Sequence, residues 1–307
     1  MKRLLARCHP AKIAARLDER RRWAQARALS AERVAQETLA VAVAVANGGG
    51  ARVDNFLATL RAQTLPAHCV DITIADFGSD EPTLAALRDS CARFEARLVE
   101  LRNPDPQWNK SWALNAALRA TSAGRWVLAT DIDMLFAPNF VETVLRAHLA
   151  FEPAIVLAQF MDLDRDALDG DVDPVADFER LRAGAEWVGE HATGPCLSVS
   201  RAWVERVRGF DERMVLWGYM DQDFSERALR DGLRGVWIHE RTTMLHQWHP
   251  RKFEVHRGDE QAQALMRERF DANRRLFEDD QSIERNAGGW GELGPDARVI
   301  EPPGHSV

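Results

Sequence analysis

Asp131 and Asp133 are the first residues whose types and spacing could do chemistry. They follow the apolar run Trp126-Val127-Leu128-Ala129, which reads as a buried strand, so they stand at a strand end. In extended backbone, residues two apart point the same way, and two like charges on one side repel unless something positive lies between or before them. A hard divalent cation would serve, since Mg²⁺ or Mn²⁺ is usually held by one or two carboxylates together with substrate phosphates. Farther along, Asp221 falls in the first turn of a helix expected over 220–231, where the helix dipole favours its charge. Asp223 has an i,i+4 partner in Arg227; Asp221 has none in sequence reach and suits a general base taking a proton from a hydroxyl. His246 and His249 close a short strand expected over 242–246, and a neutral imidazole often completes a carboxylate metal site. His246, at the strand end, is the preferred ligand of the two.

The elements that must carry these groups alternate regularly in the first half. An apolar strand over 39–46 ends in Asn47-Gly48-Gly49-Gly50, and a helix follows over 52–63. A second strand, 70–75, ends in Asp76-Phe77-Gly78-Ser79-Asp80; then come a helix over 82–96, a strand over 97–101, a helix over 110–121 and a strand over 125–130. Such spacing predicts βαβ crossovers and a parallel sheet with helices on both faces. Ligands of such sheets sit outside the carboxyl ends of the strands, so one cleft is expected to hold Asn47, Asp76, Asp131 and Asp133.

The second half is less regular. Residues 161–178 read as an acidic loop, 194–200 and 233–238 as strands, and 257–277 as a helix. Helix 220–231 shows an apolar stripe of Phe224, Ala228 and Leu229, with Gly232 placed to end it. The acids at 162, 164 and 166 imitate a Ca²⁺ loop, but Ala167 stands where the sharp turn needs Gly and no Glu closes the motif; an acidic surface loop near the acceptor side is the better reading. Residues 10–38 read as one or two charged helices packed on the main domain, and roughly the last 27 residues as a wrapping tail or a disordered segment.

The bulk numbers set bounds. With 307 residues, 46% hydrophobic and 28% charged, the chain is an ordinary globular protein of one large or two modest domains. A net charge of −7 argues against a general nucleic-acid or membrane-surface binder. Cys8, Cys69, Cys91 and Cys196 are scattered, which fits reduced thiols in a cytoplasmic protein. The start, Met1-Lys2-Arg3-Leu4-Leu5, begins like a signal peptide, but Arg7, His9 and Lys12 interrupt any apolar stretch; no run reaches membrane-spanning length.

In chain order, Asn47, Asp76-Phe77-Gly78-Ser79-Asp80, Asn109-Lys110-Ser111-Trp112-Ala113-Leu114-Asn115, Asp131-Ile132-Asp133, Gly209-Phe210-Asp211-Glu212, Trp217-Gly218-Tyr219-Met220-Asp221-Gln222-Asp223-Phe224 and His246-Gln247-Trp248-His249 resemble the GT-A-fold glycosyltransferases. The likeness is to family 2 and to the β-galactosyl- and chondroitin-polymerase-type transferases in the C-terminal half. It covers roughly 39–250 and implies an α/β, Rossmann-like, mostly parallel sheet there, a GT-A domain with a nucleotide-sugar half (39–135) and an acceptor half (136–250); the pattern outside it leaves an N-terminal helical extension over 1–38 and a C-terminal helix and tail over 251–307. The likeness also implies a nucleotide-sugar donor, UDP-linked by expectation, and Mn²⁺ or Mg²⁺. Carried over by position, Asp76 would bind the uracil, Asn47 would lie near the nucleoside, and Asp131 would contact ribose or sugar and also count among the metal ligands. Asp133 and His246 would bind the metal; Lys110 and Asn115 would line the donor side; Trp217 and Gly218 would form the sugar or acceptor pocket. Asp221 would be the base of an inverting displacement onto a glycan, lipid-linked or small-molecule hydroxyl, with homodimerisation left open. Three positions depart from the pattern: Phe77 for a second acid, Met220 for a Glu before Asp221, and Val45-Ala46 where a Pro is usual. Met220 keeps open a nucleotide-sugar-binding protein without catalysis, and a retaining transferase is a further alternative.

Overall fold

The structure, a computed structural model, describes residues 10–102, 107–121, 124–188, 194–250, 256 and 258–303. The signal-like start, Cys8 and the first residue of the expected 257–277 helix lie outside them. The N-terminal segment forms α1 (Pro10–Ala28) and α2 (Ala31–Val34). The alternating half gives β1 (Leu39–Val45), α3 (Ala51–Arg61), β2 (Val70–Phe77), α4 (Glu81–Arg93), β3 (Arg97–Leu101), α5 (Lys110–Ala120) and β4 (Trp126–Thr130). Then follow β5 (Met134–Phe136), α6 (Phe140–Phe151), β6 (Ala154–Leu157), β7 (Met161–Asp162), α7 (Phe178–Gly184), β8 (Glu186–Trp187), β9 (Leu197–Ser200) and α8 (Arg201–Val207). The chain continues through α9 (Met220–Arg230), β10 (Arg234–Trp237), β11 (Met244–His246), α10 (Glu260–Asp279) and β12 (Arg298–Ile300).

Among the described residues the main sheet runs β10-β6-β9-β4-β1-β2-β3-β12, with β9 and β12 antiparallel to their neighbours and the rest parallel. Its composition is layered. Along β1, Val41 and Val43 face one core with Phe56, Leu57 and Phe140, and each buried valine contributes roughly 1.5–3 kcal/mol. Ala40, Ala42 and Ala44 face the other side, where their small side chains let α5 lie close on the sheet with Ala113, Ala116 and Ala117. That close approach carries Lys110 to the strand ends. A second sheet, β5-β11-β7-β8, sits on a smaller apolar cluster of Leu135, Leu245, Met161 and Phe178.

The structure corrects one sequence reading, decides between two for the tail, and adds elements where none was expected. Leu229 is 47% exposed, so the buried apolar stripe of α9 is Met220, Phe224 and Ala228 instead. Gly232, at φ 89, does end that helix, and Leu233 N–H donates to the Ala228 carbonyl. The tail wraps the body: β12 pairs with β3, and Trp112 Nε1 donates to the carbonyl of Glu292. The unforeseen α6 and β6 fill residues the alternating pattern left unread. At the other end, α1 packs through Trp23, whose ring lies 5.0 Å from Phe151. Cys69, Cys91 and Cys196 are buried free thiols, the last two pushed up to about 12 by burial. Among the described residues no helix is long and apolar enough to cross a membrane.

One buried group ties folding to pH. His148 is fully buried, stacked 4.3 Å from Trp126, with Nε2 2.8 Å from Ser198 Oγ. Ser198 Oγ donates to the Val127 carbonyl, so His148 Nε2–H is the donor to it and Nδ1 is the bare, unpartnered nitrogen. Burial, with Arg125 nearby, lowers this imidazole to about 3. The native ring stays neutral while the unfolded chain takes up a proton below about 6.5, so this stability is intact above that pH and drains as pH falls toward 3. Urea unfolding at pH 7 and 4.5 is expected to show His148→Gln losing about 3 kcal/mol less than wild type across that interval.

Candidate active site

Strand β4 stops at Thr130, and Ile132 and Asp133 form a turn before β5, so the extended alternation expected for Asp131 and Asp133 does not hold. The two carboxylates part company. Asp131 Oδ1 lies 2.6 Å from Lys110 Nζ, which also stands 3.7 Å from Asp221 Oδ1. Lys110 opens α5, where the Asn109 side chain caps the helix by accepting from Trp112 N–H. Burial disfavours the ammonium, but Asp131 and Asp221 more than offset it and raise Lys110 above its ordinary value. The reading of Asp221 as lacking a partner is thereby corrected: its partner comes from another helix.

Asp133 instead meets two imidazoles. His249 Nε2 lies 3.1 Å and His246 Nε2 3.6 Å from Asp133 Oδ2, and the two Nε2 atoms are 3.3 Å apart. Strand register sets this. His246 pairs with Met134, the residue after Asp133, and also with Asp162 of β7. Gln247 N–H donates to the Asp133 carbonyl at 2.8 Å, and the Gln247 side chain is clamped by Asn55 and the Arg52 carbonyl. The outer ring nitrogens fix the tautomers. His246 Nδ1 is 2.8 Å from Asp162 Oδ1, and His249 Nδ1 is 3.0 Å from the Pro250 carbonyl; both neighbours accept, so both Nδ1 carry hydrogen. In neutral rings both Nε2 lone pairs then face Asp133, whose Oδ1 is buried without a hydrogen-bond partner among the described residues. Acceptors crowd one point. Burial alone would raise the Asp133 carboxyl, but hydrogen bonds from the two imidazoles, given when the rings are protonated at Nε2, hold it far below the usual carboxylate range. Burial works against charge on His246, yet Asp133 and Asp162 raise it; for His249 the bond to Asp133 is the main cause of its upward shift. Asp133, His246 and His249 form a set able to hold a metal ion, their ligand atoms all within 4.8 Å of one another. His249 belongs beside His246, and Asp131 falls to Lys110 instead.

The single cleft expected from the strand ends resolves into several cavities. A first, of about 610 Å³, is lined by Asn47, Arg52, Lys110, Asp131, Asp133 and His246, among others. A second, of about 480 Å³, shares Lys110, Asp131 and Trp217 with it and adds Gly218, Asp221 and Phe270. Asp76 lines neither. It is buried and bonded to Ser79, and it borders a third cavity of about 850 Å³ with Glu100, Trp112 and tail residues 292–296. Burial raises its carboxyl, partly offset by Ser79. Ser79 Oγ in turn accepts from Asn47 N–H, so the two loops are linked. Asn115 also lines none of the three. It is buried, accepting from Phe210 N–H and donating to the Phe210 carbonyl and Glu212, as a strut inside the body. Asp162, Phe160 and Phe270 escaped sequence reasoning. Only His249 left a signal, the H-x-x-H spacing at a strand end.

Helix α9 presents Asp221 from its first turn and is locked by a buried ion network. Arg227 bonds Asp223 Oδ2 at 2.7 Å and the Gly209 carbonyl at 2.8 Å. Arg285, from the tail, lies 2.8 Å from Asp223 Oδ1 and 3.1 Å from Asp211 Oδ2. Against Asp221 itself lies Gly194, where a Cβ would come within 2.5 Å of Oδ2.

Residues 40–207, more than half of the chain, match the sequence model of Glycosyl transferase family 2, and residues 186–250 match one described as N-terminal domain of galactosyltransferase. No curated protein matches. Among solved structures, S. aureus TarS 1–349 in complex with UDP-GlcNAc aligns with a TM-score of 0.53 at 15% identity, covering 71% of this chain and 60% of that one. GalNAc-T7 with UDP, GalNAc and Mn²⁺ gives 0.54 at 12%, covering 69% and 44%. The mannosyltransferase PcManGT from Pyrobaculum calidifontis, in complex with GDP-Man and Mn²⁺, gives 0.50 at 20%, covering 70% and 58%. The chain thus spans 60% or less of each of these relatives. These likenesses define the fold as that of the GT-A glycosyltransferases. The chain belongs to glycosyl transferase family 2.

Removing Arg285 would leave Asp211 and Asp223 buried with half their compensation. Arg285→Ala is expected to cost about 3–5 kcal/mol in chemical unfolding, the range for a broken buried pair.

Proposed function

We propose that the chain transfers a glycosyl group from a nucleotide-sugar, expected to be UDP-linked, to an acceptor hydroxyl, with inversion and with Asp221 as general base. The observation that carries this reading is the convergence of Asp133, His246 and His249 on one point of a cavity that runs into the one holding Asp221. The residues fit a divalent cation of the Mn²⁺ or Mg²⁺ kind: two imidazole nitrogens and a carboxylate face one another, and Asp133 Oδ1 has no hydrogen-bond partner among the described residues. Asp162 and the Pro250 carbonyl orient the rings, as outer partners of metal-binding histidines do. The Mn²⁺ in the GalNAc-T7 and PcManGT structures, and the nucleotide-sugars bound in TarS and PcManGT, support the same assignment. When bound, the cation supplies positive charge against the leaving diphosphate.

The remaining work falls to the chain. Asn47 and Arg52 line the donor side, and Lys110 holds Asp131 toward the sugar while standing near Asp221. Trp217 and Gly218 wall the acceptor side, where Asp221 takes the hydroxyl proton as the new glycosidic bond forms. In this reading residues 39–135 bind the donor and 136–250 carry the acceptor chemistry. Asp76 acts from the third cavity, and Asn115 serves as a strut.

Nucleotide release from UDP-sugars with Mn²⁺ tests the reaction. Asp221→Asn is expected to lower turnover by about 10²–10⁴-fold while nucleotide binding persists; a variant that still transfers at the wild-type rate excludes the base, and tight binding with no turnover by wild type favours a binding protein. Isothermal titration with Mn²⁺ tests the cation site. Asp162→Asn is expected to weaken binding about 10–100-fold, as loss of an orienting partner does, and Asp133→Ala or His249→Ala more. Affinity should fall as pH drops, because both imidazoles must be unprotonated at Nε2 to ligate.

A further inference from the structure

We propose that α10 is the acceptor-selecting element of this chain: its Phe270, with Trp217 and Tyr219, walls the Asp221 cavity for a hydroxyl carried on a flat, weakly polar face. This rests on the reading of the second cavity as the acceptor side. Both matched family regions end by residue 250, whereas α10 begins at Glu260, so what it contributes lies beyond them. Phe270 packs 4.9 Å from Trp217 and 5.1 Å from Tyr219, and Phe277 lies 5.3 Å from Tyr219.

The contact is built in from the backbone. Leu216, Gly218 and Tyr219 have left-handed backbone at φ 63, 91 and 67, and a Cβ on Gly218 would come within 2.5 Å of the Phe270 ring. Asn273, one turn on from Phe270 and almost wholly buried, donates to the carbonyls of Val215, Trp217 and Gly218 at 2.9, 3.0 and 3.2 Å. The loop that precedes Asp221 is therefore moulded on α10. The same helix supplies Met266 to the first cavity.

The chemistry of the lining selects the ligand. Lys110 and Asp131 are paired with each other, and Met220, buried, stands where the resemblance has an acid. Among the described residues, Trp217, Tyr219 and Gln222 are the other lining residues whose side chains carry a polar atom, besides Asp221. A highly charged acceptor would leave charges unmet, whereas a ring with a flat C–H or π face stacks on the aromatic rings while these few polar groups meet its hydroxyls. A pyranose C–H face and an aromatic ring share that chemistry.

Saturation-transfer NMR, with methyl β-D-glucopyranoside and p-nitrophenol as probes in the presence of UDP and Mn²⁺, reads binding without turnover. Wild type is expected to transfer saturation to the ring protons of one probe. Phe270→Ala is expected to lose about ten-fold in affinity for it, and Phe270→Trp to keep it. Preference for the glucoside identifies a sugar acceptor and preference for the phenol an aromatic one. No transfer to either probe in wild type, or equal transfer in Phe270→Ala, overturns the proposal. Where a donor is turned over, the ratio of transfer to donor hydrolysis should fall about ten-fold in Phe270→Ala through a higher acceptor KM. Full transfer by Asp221→Asn would sink the base assignment and leave the NMR result standing.

Discussion

Three lone-pair-bearing atoms aimed at one point are the constraint around which this site is organised. A carboxylate and two imidazoles whose outer nitrogens already donate elsewhere have no hydrogen left to share at the centre, unless a ring takes up a proton. Without a positive species such a cluster repels itself, so its persistence requires strong positioning. Strand register provides it: β5, β11 and β7 place Met134, His246 and Asp162 side by side, and the buried Gln247 ties Asp133 to α3. The small apolar cluster beneath that sheet, centred on Leu135 and Leu245, makes slippage costly, because a one-residue shift would turn these side chains out of the core.

A second positioning problem concerns α9, which must hold Asp221 at the mouth of the neighbouring cavity. The solution is a fully buried ion network. Such networks seldom add much stability over an apolar core, but they are unforgiving of displacement, since each charge is paired in one geometry only. Arg285 reaches this network from the tail, after α10 has already seated the Trp217–Tyr219 loop through Asn273. Residues beyond the matched family regions therefore decide how the family's own motifs are presented.

The parallel half was legible because its signals are local. The apolar runs of β1 to β4, broken by Asn-Gly and Asp-Phe-Gly-Ser, specify both strand and stop, and the observed spans fall within a few residues of the expected ones. The site was legible in types more than in partners. Asp133 and His246 could be picked out by residue type and strand-end position. The turn at Ile132–Asp133, which sends Asp131 to Lys110, depends on how β4 hands over to the second sheet, and no local pattern encodes that. Asp162 looked like one acid among many in a loop, and becomes distinctive only through its pairing with His246. For Asn115 and Asp76, motif position suggested ligand contact; their hydrogen bonds, of the one to Phe210 and Glu212 and of the other to Ser79, come from elsewhere in the fold and left no local signal.

Lys110 joins the two halves of the site. It is one of only four lysines in an arginine-rich chain, and a compact ammonium can sit between two carboxylates where a planar guanidinium would demand a paired fork. Asp131 and Asp221 belong to different elements, and their mutual repulsion would otherwise drive the end of β4 and the start of α9 apart. The ammonium lies 2.6 Å from Asp131 and 3.7 Å from Asp221, so its charge offsets their repulsion and holds the two elements together.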